Sequence, residues 1–346
     1  MIHVHINSNQ GYYHIFDSNS GVAIRWGAND KDPFWREEGP ELLDVAITNF
    51  CERECEFCYR KASKHGIFME ISLFEEVLRQ AESAGVQQIA LGGGNPNQHP
   101  DFIKFLKMAN EHHIVPSYTT NGQGMTDEIY QATKKYGGAV AVSWYEPYTE
   151  AIDVIEKCGK YGITVNIHFV LHNESLQNAQ ALLRSDKVPW NYVNAIVFLN
   201  YKPLGFKVFN VLKDDEKTDE FLKSALSFEK CRIGFDSCMI SWLMKYRDLI
   251  AEESIDYCEA GRFSAFISEK GGMYPCSFLC DSINCGCDIR EERISKIWKS
   301  GKAFIKIREA LANPAYQKSP IISCIKCSHY TVCHGGCQEF AINRCK

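Results

Sequence analysis

Cys51-Glu52-Arg53-Glu54-Cys55-Glu56-Phe57-Cys58-Tyr59 sets three cysteines in a C-x3-C-x2-C spacing, directly after an apolar run from Leu43 to Thr48 that reads as a β-strand. Soft thiolate sulfur suits iron, and a loop this compact lets three sulfurs converge on one cubane iron-sulfur cluster. Three thiolates leave one iron of such a cube without a protein ligand.

Outward from that loop, residues 41–235 alternate short β-rich runs with helical segments, the pattern of parallel βα units. Strands are predicted near Leu43 to Thr48, Gln88 to Leu91, Val115 to Thr120, Ala139 to Ser143, Thr164 to Val170 and Ala195 to Leu199. Helices fit between them, for example over 72–84, with Leu73, Val77 and Leu78 on one face, and over 101–112, with Phe102, Phe105, Leu106 and Ala109. Six units are two short of a closed (β/α)8 barrel, so the expected fold is α/β, a partial (β/α)6 TIM-like barrel with an open side. In the fifth strand Val165, Ile167 and Phe169 alternate with Asn166, His168 and Val170. Helices cover the outside of such a barrel, so the apolar set faces outward and Asn166 and His168 line the interior. Before the barrel, Tyr13-His14-Ile15-Phe16 and Val22-Ala23-Ile24-Arg25-Trp26 read as a capping hairpin, in preference to a peptide-docking edge.

With 346 residues, 45% of them hydrophobic and 23% charged, the chain is an ordinary globular protein with room for one large and one smaller domain. A net charge of -5 argues against a nucleic-acid partner. The first residues, Met1-Ile2-His3-Val4-His5, carry no basic segment ahead of an apolar core, and no run approaches a membrane span, so a cytoplasmic location is expected. In a reducing cytosol, 16 cysteines point to metal or chemistry before disulfides. They gather at 51–58 and again from Cys258 onward, with Cys158, Cys231 and Cys238 between. The second group reads C-x12-G-x4-C over Cys258, Gly271 and Cys276, then C-x2-C-x5-C-x3-C over Cys324, Cys327, Cys333 and Cys337, then Cys345. A C-x2-C pair alone suits zinc, which keeps a structural zinc-binding interaction module as the non-enzymatic alternative.

The cysteine loop, with Phe57 before its last cysteine and Tyr59 after it, resembles the radical S-adenosylmethionine (radical SAM) enzymes, and the second cysteine series resembles their SPASM extension. That resemblance implies a first [4Fe-4S] cluster on Cys51, Cys55 and Cys58, whose open iron chelates the methionyl amine and carboxylate of S-adenosyl-L-methionine. Gly92, Gly93 and Gly94 resemble the family's Gly-Gly-Glu segment, which holds the cofactor's amino group, although Asn95 stands where glutamate is usual. Thr120 and Asn121 sit in a turn similar to the family's Thr-Asn-Gly, and Ser143 matches a serine beside the cofactor's carboxylate and ribose. In the SPASM pattern Cys324, Cys327, Cys333 and Cys345 bind an outer auxiliary cluster, and Cys258, Cys276 and Cys337 an inner one, for three [4Fe-4S] clusters in all. The inner cluster's fourth ligand is left open among Cys238, Cys280, Cys285 and Cys287, or falls to a substrate thiolate.

The same resemblance divides the chain into a cap (1–40), a radical SAM barrel (41–235) and a SPASM domain (236–346). It implies an oxidative maturase in which a 5'-deoxyadenosyl radical abstracts hydrogen from a ribosomally made peptide or protein, ending in a thioether or carbon-carbon bond. A one-electron donor such as flavodoxin or ferredoxin is implied as partner. A sulfatase-maturating, formylglycine-forming oxidase and a small-molecule or cofactor-biosynthesis dehydrogenase are the alternatives. Tyr145, Glu146, His168 and Asp236 are candidates for proton transfer by position, and Tyr201 and Lys202 follow the sixth strand where a substrate pocket would open.

Overall fold

The computed structural model describes residues 2–7, 10–17, 21–28, 33–251, 254–280, 286–316 and 324–345. Three antiparallel strands come first, β1 (Ile2–Asn7), β2 (Tyr12–Asp17) and β3 (Ala23–Gly27), paired in that order. The first of these adds a strand to the expected hairpin. Tyr12, His14 and Phe16 point inward along β2, while Ile2, Val4, Ile6, Ile24 and Trp26 stay exposed. Arg25 on β3 fixes the small sheet to the rest. Its guanidinium grips both oxygens of buried Glu41, at 2.7 and 2.8 Å, and lies 3.4 Å over the Phe263 ring. A fork-to-fork pair of this kind is specific in direction as well as strong, so it sets the tilt of the sheet.

The barrel follows as β4 (Leu42–Thr48), α1 (Ile71–Ser83), β5 (Gln88–Gly93), α2 (Phe102–Glu111), β6 (Val115–Thr120), α3 (Asp127–Tyr136), β7 (Ala139–Ser143), α4 (Thr149–Tyr161), β8 (Thr164–Leu171), α5 (Leu176–Arg184), β9 (Val193–Asn200) and α6 (Glu216–Leu226). The first two helices turn an i, i+3, i+4, i+7 stripe toward the sheet: Phe74, Val77, Leu78 and Ala81 on α1, and Phe102, Phe105, Leu106 and Ala109 on α2. The facing strand residues are buried in turn, as Val165, Ile167, Phe169 and Leu171 are on β8. Helix starts are marked where the chain needs them. The Thr126 hydroxyl accepts from the Ile129 N–H ahead of α3, and the Asp215 carboxylate accepts from the Thr218 N–H ahead of α6.

All six expected strands are present, in the expected order, and two more parallel strands extend them. β10 (Arg232–Phe235) pairs with β9, and β11 (Ser264–Ile267) pairs with β4, so eight strands run parallel from β10 through β4 to β11. Between these two come α7 (Ile240–Leu243), and beyond β11 the antiparallel β12 (Gly272–Tyr274) and β13 (Cys287–Asp288) complete a ten-stranded sheet. Among the described residues no ladder joins β10 to the far edge, and the barrel is open there. Helices α8 (Ile294–Ser300), α9 (Lys302–Ala312) and α10 (Tyr330–Cys333) finish the chain. Among the described residues no helix is long and apolar enough to cross a membrane.

Candidate functional site

β4 ends at Thr48, whose hydroxyl donates to the Ile67 carbonyl at 2.7 Å and accepts from the Phe50 N–H at 2.8 Å, turning the chain into the cysteine loop. Inside the loop the Cys51 N–H reaches the Ser63 carbonyl at 3.0 Å and the Cys58 N–H the Cys55 carbonyl at 3.0 Å. Burial pushes the Cys55 thiol up to about 11; Arg53 pulls the other way, and neighbouring Cys58 and Cys51 add repulsion. Burial likewise raises Cys58. Three sulfurs that repel one another as thiolates in a poorly solvated loop are a set that a polycationic cluster would relieve, and the donor set therefore fits iron-sulfur ligation.

Neighbouring strand ends close around the loop. A side chain on Gly93 (φ +107°) would lie 2.0 Å from the Thr48 carbonyl oxygen, and one on Gly94 would lie 2.0 Å from the Phe50 carbonyl oxygen. Those two glycines are required by the packing of β5 under the cysteine loop itself. Gly92 differs: a Cβ there meets nothing within 4 Å, so its bare backbone borders open space that a ligand can fill. Asn95, which stands where the resembled family usually has glutamate, is buried and ties β5 to the turn after β6. Its amide donates to the Gln123 carbonyl at 2.9 Å, and its carbonyl oxygen accepts from the Asn121 N–H at 3.1 Å. The Thr120 hydroxyl is committed to Asn97 at 2.6 Å. Asn121 instead turns to the loop, its amide donating to Cys51 Sγ at 3.4 Å.

Ser143, buried at the end of β7, is hydrogen-bonded to the Tyr145 hydroxyl. Burial, reinforced by the nearby Cys55 thiol, drives the Tyr145 phenol far above its ordinary range. Its ring stands 5.2 Å from Phe57, and the Arg53 guanidinium lies 5.2 Å over its face while also donating to the Glu146 carbonyl. Glu146 is an exposed rim residue. Phe57 leads on to His172 at 6.4 Å and Phe209 at 6.5 Å, so an aromatic wall stands behind the loop. Tyr59 leans the opposite way, 4.3 Å from Phe278, with burial pushing its phenol up to about 12.

Two ionisable groups border the barrel interior. The half-buried His168 imidazole drops to about 4 through burial alone. Asp44 on β4 rises to about 6 for the same reason. Sequence reasoning missed Asp44, although a carboxylate inside the run Leu42-Leu43-Asp44-Val45-Ala46-Ile47 was a visible signal. Tyr201 and Lys202 are both buried. Lys202 Nζ donates to Asp236 Oδ2 at 2.9 Å, so Asp236 enters the site as the partner of a cation.

The second cysteine region resolves into two groups. Cys333 lies within electrostatic reach of Cys345, Cys324 and Cys327, and burial lifts it to about 12. Cys258 and Cys276 are raised by burial and feel each other and Cys238. Cys337 shares a hydrogen bond with Cys238 that lowers Cys337 and raises Cys238. Cys280 is hydrogen-bonded to Arg60, which also pairs with Glu269 at 2.7 Å, the Arg60 and Glu269 side chains each 4% exposed. Cys287 is exposed on β13, Cys158 is buried on α4, and Cys285 lies outside the described residues. Among the described residues no group of three or more His, Cys, Asp or Glu side chains is drawn together for a single metal ion.

Residues 45–185 match the radical SAM superfamily, and residues 258–328 match the SPASM iron-sulfur cluster-binding domain. The mycofactocin maturase MftC of Mycobacterium tuberculosis is 21% identical over 324 residues, covering 87% of this chain and 78% of that protein. SuiB of Streptococcus suis bound to precursor peptide SuiA superposes with a TM-score of 0.70 at 18% identity, over 89% of this chain and 75% of the other. The structure of anSMEcpe with bound AdoMet and the Cp18Cys peptide gives 0.63 at 15% identity, over 88% and 92%.

Proposed function

We propose that this chain, a radical SAM enzyme with a SPASM domain, oxidatively matures a ribosomally made peptide or protein by closing a thioether or carbon-carbon bond. The observation that carries the reading is the loop after β4, in which Cys51, Cys55 and Cys58 lie within electrostatic reach of one another, next to the open backbone of Gly92 on the neighbouring strand. Its relatives support the substrate class, since one is a maturase and two structural neighbours hold peptides. In this reading Cys51, Cys55 and Cys58 hold the first cluster, Gly92 and Ser143 face S-adenosyl-L-methionine, and Phe57 and Tyr59 wall the loop. Gly93 and Gly94 let the loop seat, and Asn121 orients Cys51. Cys324, Cys327, Cys333 and Cys345 hold the outer auxiliary cluster, and Cys258, Cys276 and Cys337 belong to the inner one.

Held by Cys51, Cys55 and Cys58 with Gly92 and Ser143 beside it, the cluster and S-adenosylmethionine would supply one-electron chemistry able to remove a hydrogen atom from an unactivated carbon, that hydrogen leaving on 5'-deoxyadenosine. Bond closure would then release one more proton to solvent and pass one more electron to the auxiliary clusters held by the second cysteine region, for a loss of two hydrogens from the peptide in all. A flavodoxin or ferredoxin provides the initiating electron, in the cytoplasm, with no nucleic-acid or membrane partner. The division at residues 40 and 235 into cap, barrel and SPASM domain goes with this reading. The test is anaerobic reconstitution with iron and sulfide, followed by incubation with a short cysteine-rich peptide encoded beside the gene. About twelve irons per chain are expected from three four-iron clusters, with a mass loss of two per bond formed in the peptide. Reductive cleavage of the cofactor with no mass change in any adjacent peptide would overturn the peptide assignment.

A further inference from the structure

Cys238 stands outside the spacing pattern that begins at Cys258, yet the fold carries it to the inner thiols. The turn at 237–239 follows β10 and is pinned to β9: the Asp236 N–H reaches the Phe198 carbonyl at 3.0 Å, and the Asn200 amide donates to the Cys238 carbonyl at 3.1 Å. The segment bearing Cys337 is stitched to α7, which starts two residues after Cys238. The Trp242 indole donates to the Ile342 carbonyl at 3.0 Å, and the Arg344 N–H donates to the Ser241 hydroxyl at 3.0 Å. The Cys337 N–H reaches Asn343 Oδ1 at 2.9 Å, fixing the last thiol in the same frame. These anchors put the Cys238 thiol in hydrogen-bond contact with that of Cys337 and near Cys258 and Cys276.

A second observation comes from the barrel side. Lys202, just past β9, is 1% exposed at its side chain. Burying an ammonium is costly unless opposite charge surrounds it. Its Nζ donates to Asp236 at 2.9 Å and is hydrogen-bonded to Cys238, and it lies 4.3 Å over the Phe278 ring. A buried cation aimed at a thiol beside three other thiols is placed to offset the negative charge of a thiolate-bound cluster.

We propose that Cys238, delivered by the turn after β10, is the fourth thiolate of the inner auxiliary cluster, and that the buried Lys202 ammonium is its compensating charge. The inner cluster is then closed: no iron is left for a substrate thiolate, and the peptide is held by protein contacts alone. Cys238, and not Cys280, is among the groups that act most on Cys258, Cys276 and Cys337, and Cys287 is exposed, so neither Cys280 nor Cys287 joins the set. This inference rests on the radical SAM reading above.

The test uses the full-length, cluster-loaded protein with S-adenosylmethionine saturating the first cluster. Carbon-13-labelled cyanide is added as a small ligand for any iron lacking a thiolate, and hyperfine coupling of the label to the reduced clusters is measured. No coupling is expected in the parent or in Cys280→Ala, and a new coupling is expected in Cys238→Ala. Coupling in the parent, or a Cys238→Ala protein with full iron and no coupling, overturns the assignment. If Cys238→Ala loses iron instead, from about twelve to about eight per chain, while Cys280→Ala keeps its complement, the thiol is again identified as a ligand; equal loss in both overturns it. Lys202→Met is expected to lower the midpoint potential of the inner cluster in a redox titration followed by electron paramagnetic resonance, and Lys202→Arg to restore much of it. An unchanged potential in Lys202→Met refutes the charge role. A parent chain that takes up zinc and no iron would sink the radical SAM reading itself, whereas the other outcomes bear on Cys238 and Lys202 alone.

Discussion

Gly92→Ala and Gly93→Ala separate cofactor space from fold, although the two residues are adjacent. At Gly93 a new methyl would lie 2.0 Å from the Thr48 carbonyl oxygen and 2.8 Å from the Ala46 Cβ, at a φ of +107°. A non-glycine residue held in so sparsely populated a region costs about 1–3 kcal/mol, and forcing a methyl into an occupied site costs about 1–3 kcal/mol more. The sum is roughly 2–6 kcal/mol. With an unfolding entropy near 2.1 cal/mol/K per residue, a chain of 346 residues changes stability by roughly 0.7 kcal/mol per degree, so Tm falls by roughly 3–8 °C. At Gly92 the methyl meets no protein atom within 4 Å, and Tm should move by less than about 1 °C. It would instead occupy the space assigned to S-adenosylmethionine and weaken its binding about tenfold, or about 1.4 kcal/mol. Anaerobic calorimetry gives the two melting temperatures, and titration of the cluster-loaded proteins gives the binding constants. Equal losses of Tm in the two variants, or parental cofactor affinity in Gly92→Ala, would refute the reasoning.

Two further outcomes follow from groups beside the loop. Asp44 is held near 6 against an ordinary 3.8, so between pH 4 and 6 the folded chain keeps a proton that the unfolded chain has released, and stability falls as pH rises by at most about 3 kcal/mol. His168 is held near 4 against an ordinary 6.5, so over nearly the same window the unfolded chain binds the extra proton and stability rises with pH by a similar amount, at most about 3 kcal/mol. The slopes oppose each other in the parent. Asp44→Asn should therefore reveal a Tm that climbs by up to about 4 °C from pH 4 to 6.5, and His168→Gln one that declines; profiles of the same sign in both variants would contradict the assignment. Asn121→Ala removes the 3.4 Å hydrogen bond to Cys51 Sγ. Such bonds favour the more negative, reduced cluster, so the first cluster's midpoint potential should drop by on the order of tens of mV, and a redox titration showing no shift would deny Asn121 that influence.

The barrel was legible because its signals are local. Phe102, Phe105, Leu106 and Ala109 recur at helical spacing, and Val165, Ile167 and Phe169 alternate at strand spacing, so neither needs a distant partner to be recognised. β10 and β11 escaped for opposite reasons. The four residues Arg232-Ile233-Gly234-Phe235 are too short, and too interrupted by glycine, to show alternation. Ser264 pairs with Leu42, 222 residues earlier, and no periodicity encodes a contact over that separation. Cys238 was one of four candidates in the sequence, and nothing local ranked it above the others; what favours it is the anchoring of the far end of the chain by Trp242 and Ser241. The glycine run was readable as a motif but not residue by residue, since only the packing distinguishes Gly92 from Gly93 and Gly94.

The two cysteine regions, read separately along the chain, are one construction in space because of where β11 docks. By adding to β4 in parallel, it brings the strand pair β11 and β12 beside the strand that carries the first cysteine loop, and Cys276 follows β12 directly. Tyr59 and Phe278, each next to or near a cysteine of its own region, then meet at 4.3 Å, and Arg60 reaches Glu269 at 2.7 Å. On the other side of the open barrel, the turn after β10 supplies Cys238. Cys238, in the turn after the edge strand β10, thus lies close to Cys276, which follows β12 near the other end of the sheet. Side chains held by a shared cluster can join two such edges without backbone hydrogen bonds between them, at the cost of making the junction depend on the bound group. An opening bridged in this way stays open between the strand ends, and there the aromatic wall of Phe57, His172 and Phe209 stands beside the first cysteine loop, an arrangement that suits a peptide entering from the side.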